Sequence, residues 1–185
     1  MLRYYLNREL SNLLEIPLSR WKRWSREFLP PDPLGGLQSG FARQYSIQDA
    51  FSVYFAGYLV SALGFSIPEA RQVLFDLNNW IKKEIIEAHG NGVVESGEEG
   101  QGCLRIDLQI TPTQCKGSPS FCYRIRYLME RQSLSDGDAL LWQEKFKENT
   151  LHKPVKLADS GSYPICSRWV EVSALAGIFF GRLSV

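Results

Sequence analysis

The sequence predicts an α+β protein in which a helical amino-terminal domain precedes a small domain built on an antiparallel sheet. Apolar residues recur at helical spacing through residues 1–88, whereas they alternate with polar residues from residue 103 onwards. Between these parts, residues 89–102 hold five glycines and three glutamates without apolar periodicity, which is typical of a flexible linker. We therefore predict two domains, 1–88 and 103–185, joined by that linker.

Two short helices are predicted at the start of the chain. Asn7 is placed to cap the first helix, whose leucines recur at helical spacing. A tight turn over residues 15–19 leads into the second helix, over about 18–28. This helix ends before Pro30, because proline lacks a backbone donor and restricts the residue before it.

A glycine-rich loop and two longer helices follow. The glycines within residues 32–45 suit a β-turn or a wing. Ser46 is placed to cap a third helix that ends at Gly64, and Ser66 is placed to cap a fourth helix of about 20 residues. An apolar stripe runs along this fourth helix, so one of its sides requires a packing partner.

The second domain is predicted mainly from alternation. Strands are expected at 104–110 and 121–129, where apolar and polar side chains alternate. Residues 136–148 are predicted as a helix, from the spacing of their leucines and phenylalanine. The other predicted elements are strands at 153–158 and 164–172 and a final helix over 172–183.

Composition limits the chemistry that this chain supports. Four cysteines occur without a C-x-x-C pair, and there are only two histidines, so neither a zinc site nor a histidine-based triad is expected. We predict no enzyme activity and no cofactor. No apolar run approaches the roughly 20 residues that span a bilayer, and the first residues lack a signal-peptide pattern. A cytoplasmic location without membrane contact is therefore expected.

Charge is unevenly distributed along the chain. The net charge is +1, yet residues 1–45 carry seven lysines and arginines against four acids, and residues 46–102 carry three against eight. A local cationic surface binds a polyanion even when the total charge is near zero. The alternative is a plain solvated helix face. The cations on the outer side of the second predicted helix are Arg20, Lys22, Arg23 and Arg26.

Four motifs follow one another within residues 9–77. They are Ile16-x-x-x-x-Trp21-Lys22-Arg23-Trp24, Leu29-Pro30-Pro31, Ser39-Gly40-Phe41-Ala42-Arg43-Gln44-Tyr45-Ser46-x-x-Asp49 and Leu63-Gly64-Phe65-Ser66-Ile67-x-Glu69-Ala70-Arg71-x-Val73-Leu74. In this order they resemble the DNA-binding domain of the MerR (mercury-resistance regulator) family. The predicted order of helices, turn and glycine-rich wing is also that of a winged helix-turn-helix, whose second helix enters the major groove.

The resemblance implies a DNA-binding site and a dimer interface. Lys22 stands where the family has an arginine of its recognition helix, and Arg43 and Tyr45 stand at the Arg-x-Tyr of the wing, which braces the domain and contacts phosphates. Trp21 and Trp24 are expected in the core. Together with the cations on the outer side of the second helix, the candidate DNA-binding residues are Arg20, Lys22, Arg23, Arg26, Ser39, Arg43 and Tyr45. The candidate dimer residues are Leu74, Leu77, Ile81 and Ile85.

The implied function is a sequence-specific transcription regulator that binds double-stranded DNA as a homodimer and associates with the nucleoid. Two alternatives stay open: an architectural, excisionase-like DNA binder, and a module that binds a protein or ligand instead of DNA. The dimer stripe has its own alternative, which is packing on the chain's carboxy-terminal domain.

In MerR-like regulators the carboxy-terminal region senses an effector, so an unidentified small molecule is a candidate ligand here. Metal sensing is not expected, because residues 76–102 contain no cysteine. Arg124 and Arg126 share a strand face, which suits binding of an anion or nucleic acid, or else a solvated sheet face. The aromatic residues that would line a pocket, or else form core, are Tyr123, Tyr127, Trp142 and Trp169.

Overall fold

The computed structural model describes residues 3–32, 43–90, 103–113, 119–136, 139–151 and 166–184. The chain divides into two compact units, of which the first comprises Met1–Glu87 with Ala176–Val185 and the second comprises Ala88–Leu175. The end of the final helix thus belongs to the first unit, although the sequence prediction placed all of 103–185 in the second domain. The predicted α+β class with an antiparallel sheet is confirmed.

The first unit is mainly helical, and the second contains a four-stranded sheet. In chain order the elements up to residue 90 are β1 (Tyr5–Leu6), α1 (Asn7–Leu13), α2 (Leu18–Phe28), β2 (Gln44–Tyr45), α3 (Ile47–Ser61), α4 (Ile67–Trp80), a π-helical segment (Ile81–Glu87) and α5 (Ala88–Gly90). They are followed by β3 (Arg105–Pro112), β4 (Phe121–Asp136), β5 (Ala139–Leu151), β6 (Arg168–Glu171) and α6 (Val172–Leu183). None of the described helices is long and apolar enough to cross a membrane.

Capping boxes fix the starts of α3 and α4, as the sequence predicted. The Ser46 hydroxyl accepts a hydrogen bond from the backbone N–H of Asp49 at 3.1 Å, and the Asp49 carboxylate accepts one from the Ser46 N–H at 3.2 Å. Ser66 and Glu69 form the same arrangement at α4. Gly64, in the turn between these helices, has φ +68°, a conformation that glycine adopts without steric cost.

The start of α1 differs from the prediction. Leu6 rather than Asn7 is the N-cap residue, and its backbone N–H donates to the Glu9 carboxylate at 3.3 Å. The Asn7 side chain accepts a hydrogen bond from the Tyr45 hydroxyl instead, at 2.6 Å. The same region brings β1 and β2 together as an antiparallel pair, with Tyr5 opposite Tyr45. Asn7 and Tyr45 are far apart along the chain, so no local pattern in the sequence predicts their contact.

The sheet of the second unit has the strand order β5-β4-β3-β6, and every neighbouring pair is antiparallel. One face is apolar, since the side chains of Leu108, Ile110, Tyr123 and Ile125 are buried. Thr111 and Ser167 hydroxyls lie 2.9 Å apart, next to the start of β6. The predicted strands 104–110 and 121–129 correspond to β3 and the first part of β4.

The prediction of a helix over 136–148 is wrong, because most of these residues belong to β5. Its apolar residues fit helical spacing, but β5 pairs along its length with β4, from Tyr123 opposite Leu151 to Asp136 opposite Ala139. This pairing satisfies the edge of β4 that faces away from β3, where backbone donors and acceptors would otherwise need water.

The remaining predictions for the second half have separate outcomes. The strand expected at 164–172 is present as β6 over Arg168–Glu171, and the helix expected at 172–183 is present as α6. The strand expected at 153–158 lies outside the described residues. Most of the linker predicted at 89–102 lies outside them as well.

Candidate nucleic-acid interface

The outer side of α2 carries basic side chains, while its inner side is buried. Trp21, Trp24 and Ser25 are buried, and the Ser25 hydroxyl donates to the Lys22 backbone carbonyl at 3.1 Å. A helix anchored along one side presents its other side at a fixed orientation. The exposed cations, which together we name the cationic face, are Arg20, Lys22, Arg23 and Arg26.

Two aromatic contacts set the orientation of α2. The Trp21 ring lies edge-on to the Tyr45 ring, with 5.7 Å between centroids and an interplanar angle of 64°. The Trp24 indole packs so closely on Gly57 of α3 that a β-carbon there would overlap it. Both tryptophans are core residues, which confirms the prediction for them and excludes them as exposed stacking surfaces.

Glu27, the single acidic residue of α2, is neutralised by an arginine from α4. Arg71 forms an ion pair with the Glu27 carboxylate through Nη2 and donates from Nε to the Glu27 backbone carbonyl. This contact ties the last turn of α2 to α4. It also offsets the one negative charge of the helix, so Glu27 subtracts less from the positive potential of the cationic face.

Arg43 and Tyr45, which the resemblance assigned to DNA, both make contacts inside the first unit. The Tyr45 side chain is fully buried, so its role is to brace the domain rather than to contact DNA. Arg43 is half-buried, donates to the Pro30 backbone carbonyl at 2.8 Å, and lies 5.6 Å from the Tyr45 ring centroid. Ser39, the other wing residue of the predicted site, lies outside the described residues.

A cleft of about 460 Å³ lies beside the cationic face. Three cations line it, namely Lys22 and Arg26 from α2 and Arg43 from the segment before β2. One carboxylate, that of Asp32, also lines the cleft. The apolar lining residues are Leu29, Pro30, Pro31 and Tyr45. Cations that line a cleft suit a phosphate group, since charge-assisted hydrogen bonds to phosphate oxygens are strong, although Arg43 already donates to Pro30 and Asp32 places a negative charge in the same cleft.

The stripe assigned to a dimer interface requires a correction. Leu77, Ile81 and Ile85 are at most 2% exposed in the single chain, so they are core residues and offer no surface to a second copy. Leu74 is intermediate in exposure. The large apolar side chain that α4 does expose is Phe75, at 81%. The stripe was therefore identified correctly as apolar, but its partner is the chain itself.

The aromatic residues proposed for an effector pocket do not share one environment. Tyr123 is fully buried in the core of the second unit. Trp142 and Trp169 are about half-exposed, and each has an arginine near its ring: Arg131 lies 5.0 Å from Trp142, and Arg126 lies 5.8 Å from Trp169.

Arg126 is not available as a free anion-binding group. It forms an ion pair with Glu148 at 2.9 Å and lies 3.9 Å from the Phe146 ring centroid. Arg124, on the same strand face, is exposed. The charges on this face include both signs, because Arg105 likewise pairs with Asp107 at 3.1 Å. Arg105 and Arg126 are thus held by carboxylates of the same sheet.

Among the described residues, no cluster of His, Cys, Asp or Glu side chains has the arrangement of a metal site. Sequence reasoning also missed three long-range contacts of the first unit: Asn7 with Tyr45, Arg71 with Glu27, and Arg182 with Leu14 and Glu15. A scan against protein-family models, a search of curated proteins and a search of solved structures all found no match to this chain.

Proposed function

We propose that the first unit is a MerR-like winged helix-turn-helix domain that binds double-stranded DNA through α2, and that the chain is a sequence-specific regulator of transcription. The observation that carries this proposal is the cationic face on a helix whose opposite side is anchored in the core. A major groove about 12 Å wide admits one α-helix with its side chains, so such a helix can reach base edges and phosphates together.

The cleft beside the cationic face supports the same proposal. A backbone phosphate in the cleft would meet Lys22, Arg26 and Arg43, while the remaining cations of α2 approach the groove. Phosphate contacts fix the register of a protein on DNA, whereas base contacts give specificity. In this division Tyr45 acts indirectly, by holding the segment that carries Arg43.

A charge-reversal experiment tests this proposal directly. We expect Lys22→Glu with Arg23→Glu to weaken binding to a mixed-sequence duplex at low salt by at least about tenfold, because two cations of the cationic face become acids. The matched control is Lys82→Glu with Lys83→Glu, which makes the same charge change at exposed positions of the π-helical segment. Fluorescence anisotropy measures both variants. Equal losses in the two double variants would contradict a site on α2.

An architectural DNA binder is the second candidate, and one observation favours it. Residues Leu77, Ile81 and Ile85 are in the core, so the chain does not offer the helix stripe on which the predicted dimer depended. A homodimer on palindromic DNA stays part of the leading proposal, but its contact would have to use another surface. Association with the nucleoid and response to an effector are further parts of that proposal.

A further inference from the structure

The carboxy-terminal helix reaches the turn that leads into α2. Arg182, near the end of α6, donates from Nη1 to the Leu14 backbone carbonyl at 2.6 Å. Its Nη2 forms an ion pair with the Glu15 carboxylate at 2.7 Å. Leu14 and Glu15 follow the last residue of α1, and α2 begins at Leu18. One guanidinium therefore binds two adjacent residues directly after α1, in the turn that leads into α2.

Arg182 is itself held in place by the core of the first unit. Phe179, one turn earlier in α6, is fully buried and packs on Phe51 at 5.2 Å and on Tyr54 at 5.4 Å between ring centroids. Leu183, the next residue after Arg182, is also buried. Because Phe179 and Leu183 are buried, the backbone of α6 at Arg182 is anchored to the core, which places the base of the arginine side chain beside the turn.

A cation at this turn is favourable for a specific reason. The last carbonyls of a helix lack helical partners, and a positive charge at the carboxyl end of a helix is favourable. The last turn of α1 contains no basic residue, and Glu15 has φ +55°, which is uncommon for a residue with a side chain. Arg182 supplies the missing donor and charge from the far end of the chain.

The turn is also closed by hydrogen bonds between its own residues, which do not involve Arg182. The Ser11 hydroxyl donates to the Ile16 carbonyl at 2.7 Å, and the Ile16 N–H donates to the Ser11 carbonyl at 3.0 Å. These bonds close the loop between α1 and α2. Arg182 connects that closed loop to α6, and thereby to the core formed with α3.

We propose that Arg182 is a positioning residue for α2, which fixes the angle at which the cationic face meets DNA. This inference rests on the proposed function. Its consequence is that residues 176–184 belong to the DNA-binding machinery although they lie outside the region that resembles MerR proteins. The Leu14 carbonyl is the important partner, because the Glu15 side chain is 75% exposed and an ion pair with it is screened by solvent.

The test compares the variants Arg182→Ala, Arg182→Lys, Glu15→Gln and Lys22→Ala in the full chain, with binding to one duplex measured at several salt concentrations. We expect Arg182→Ala to weaken binding about tenfold without changing the salt dependence, since Arg182 contacts no phosphate in this account. Lys22→Ala should reduce the log–log slope by about one. Arg182→Lys should restore part of the affinity, whereas Glu15→Gln should have little effect.

Hydrogen exchange supplies a readout that does not depend on DNA. We expect the amides of Glu15 and Ile16 to exchange faster in Arg182→Ala, while buried amides of α3 keep their protection. Uniform loss of protection would show a general loss of stability and would overturn the positioning role. Unchanged affinity of Arg182→Ala would overturn it as well, with the proposed function intact. If the wild-type chain binds no duplex, both proposals fail together.

Discussion

The indole of Trp24 fills the space in which Gly57 would carry a β-carbon. This contact joins the helix that bears the cationic face to the middle of α3. A backbone without a side chain at residue 57 lets the two helices approach closely, so the large indole packs directly on the backbone of α3. The orientation of α2 thus depends on a glycine within a helix, although glycines in a sequence are usually interpreted as turn residues.

Gly57→Ala is therefore expected to destabilise the first unit by about 1–3 kcal/mol, because the added methyl group overlaps the ring of a buried side chain. The matched control is Gly181→Ala in α6, where an added β-carbon meets open space and removal of a glycine from a helix stabilises by about 0.4–1 kcal/mol. Chemical denaturation measures both. Similar stabilities for the two variants would contradict the close packing of Trp24.

The buried stripe of α4 and the π-helical segment leads to a second prediction. Ile81→Lys should cost about 3 kcal/mol or more, because it places an unpaired charge in the core, whereas Phe75→Lys should be nearly neutral at an exposed position. Thermal denaturation and size-exclusion chromatography distinguish the two variants. A stable, folded Ile81→Lys monomer formed from a wild-type dimer would instead support the dimer stripe.

The hydrogen bond between Tyr45 and Asn7 gives a third prediction. Tyr45→Phe should lower the free energy of unfolding by about 1 kcal/mol, because the Asn7 carbonyl oxygen loses its donor in a partly buried site. The salt dependence of DNA binding should not change, since Tyr45 is buried and contacts no phosphate. Tyr4→Phe, at an exposed tyrosine, is the control. A smaller log–log slope of affinity against salt concentration in Tyr45→Phe would show that Tyr45 does contact DNA.

Local signals in the sequence predicted much of the first unit. Ser46 with Asp49 and Ser66 with Glu69 are capping boxes, and their bonds involve residues three positions apart, so their spacing alone indicates a helix start. The cations of α2 were also identified from the sequence, because apolar residues on one side of a helix leave the other side to solvent.

Contacts between distant residues were beyond the sequence pattern. Residues 140–151 combine leucines, a phenylalanine and several charged residues at spacings that suit either a helix or a strand, and only the edge of β4 decides for a strand. Arg182 meets Leu14 across nearly the whole chain, and Asn7 meets Tyr45 across most of the first unit. No spacing rule predicts such pairs, so the support of α2 became visible only in the structure.

The most direct test of the central claim is selection of bound duplexes from random DNA, followed by affinity measurements over a range of salt concentrations. We predict that a sequence is enriched and that the log–log slope of affinity against salt is roughly −4 to −10, which corresponds to four to six phosphate contacts per protomer in a monomer or a dimer. Binding without enrichment would indicate the architectural candidate. Absence of binding at low salt would contradict the claim that the cationic face of α2 is a DNA-binding surface.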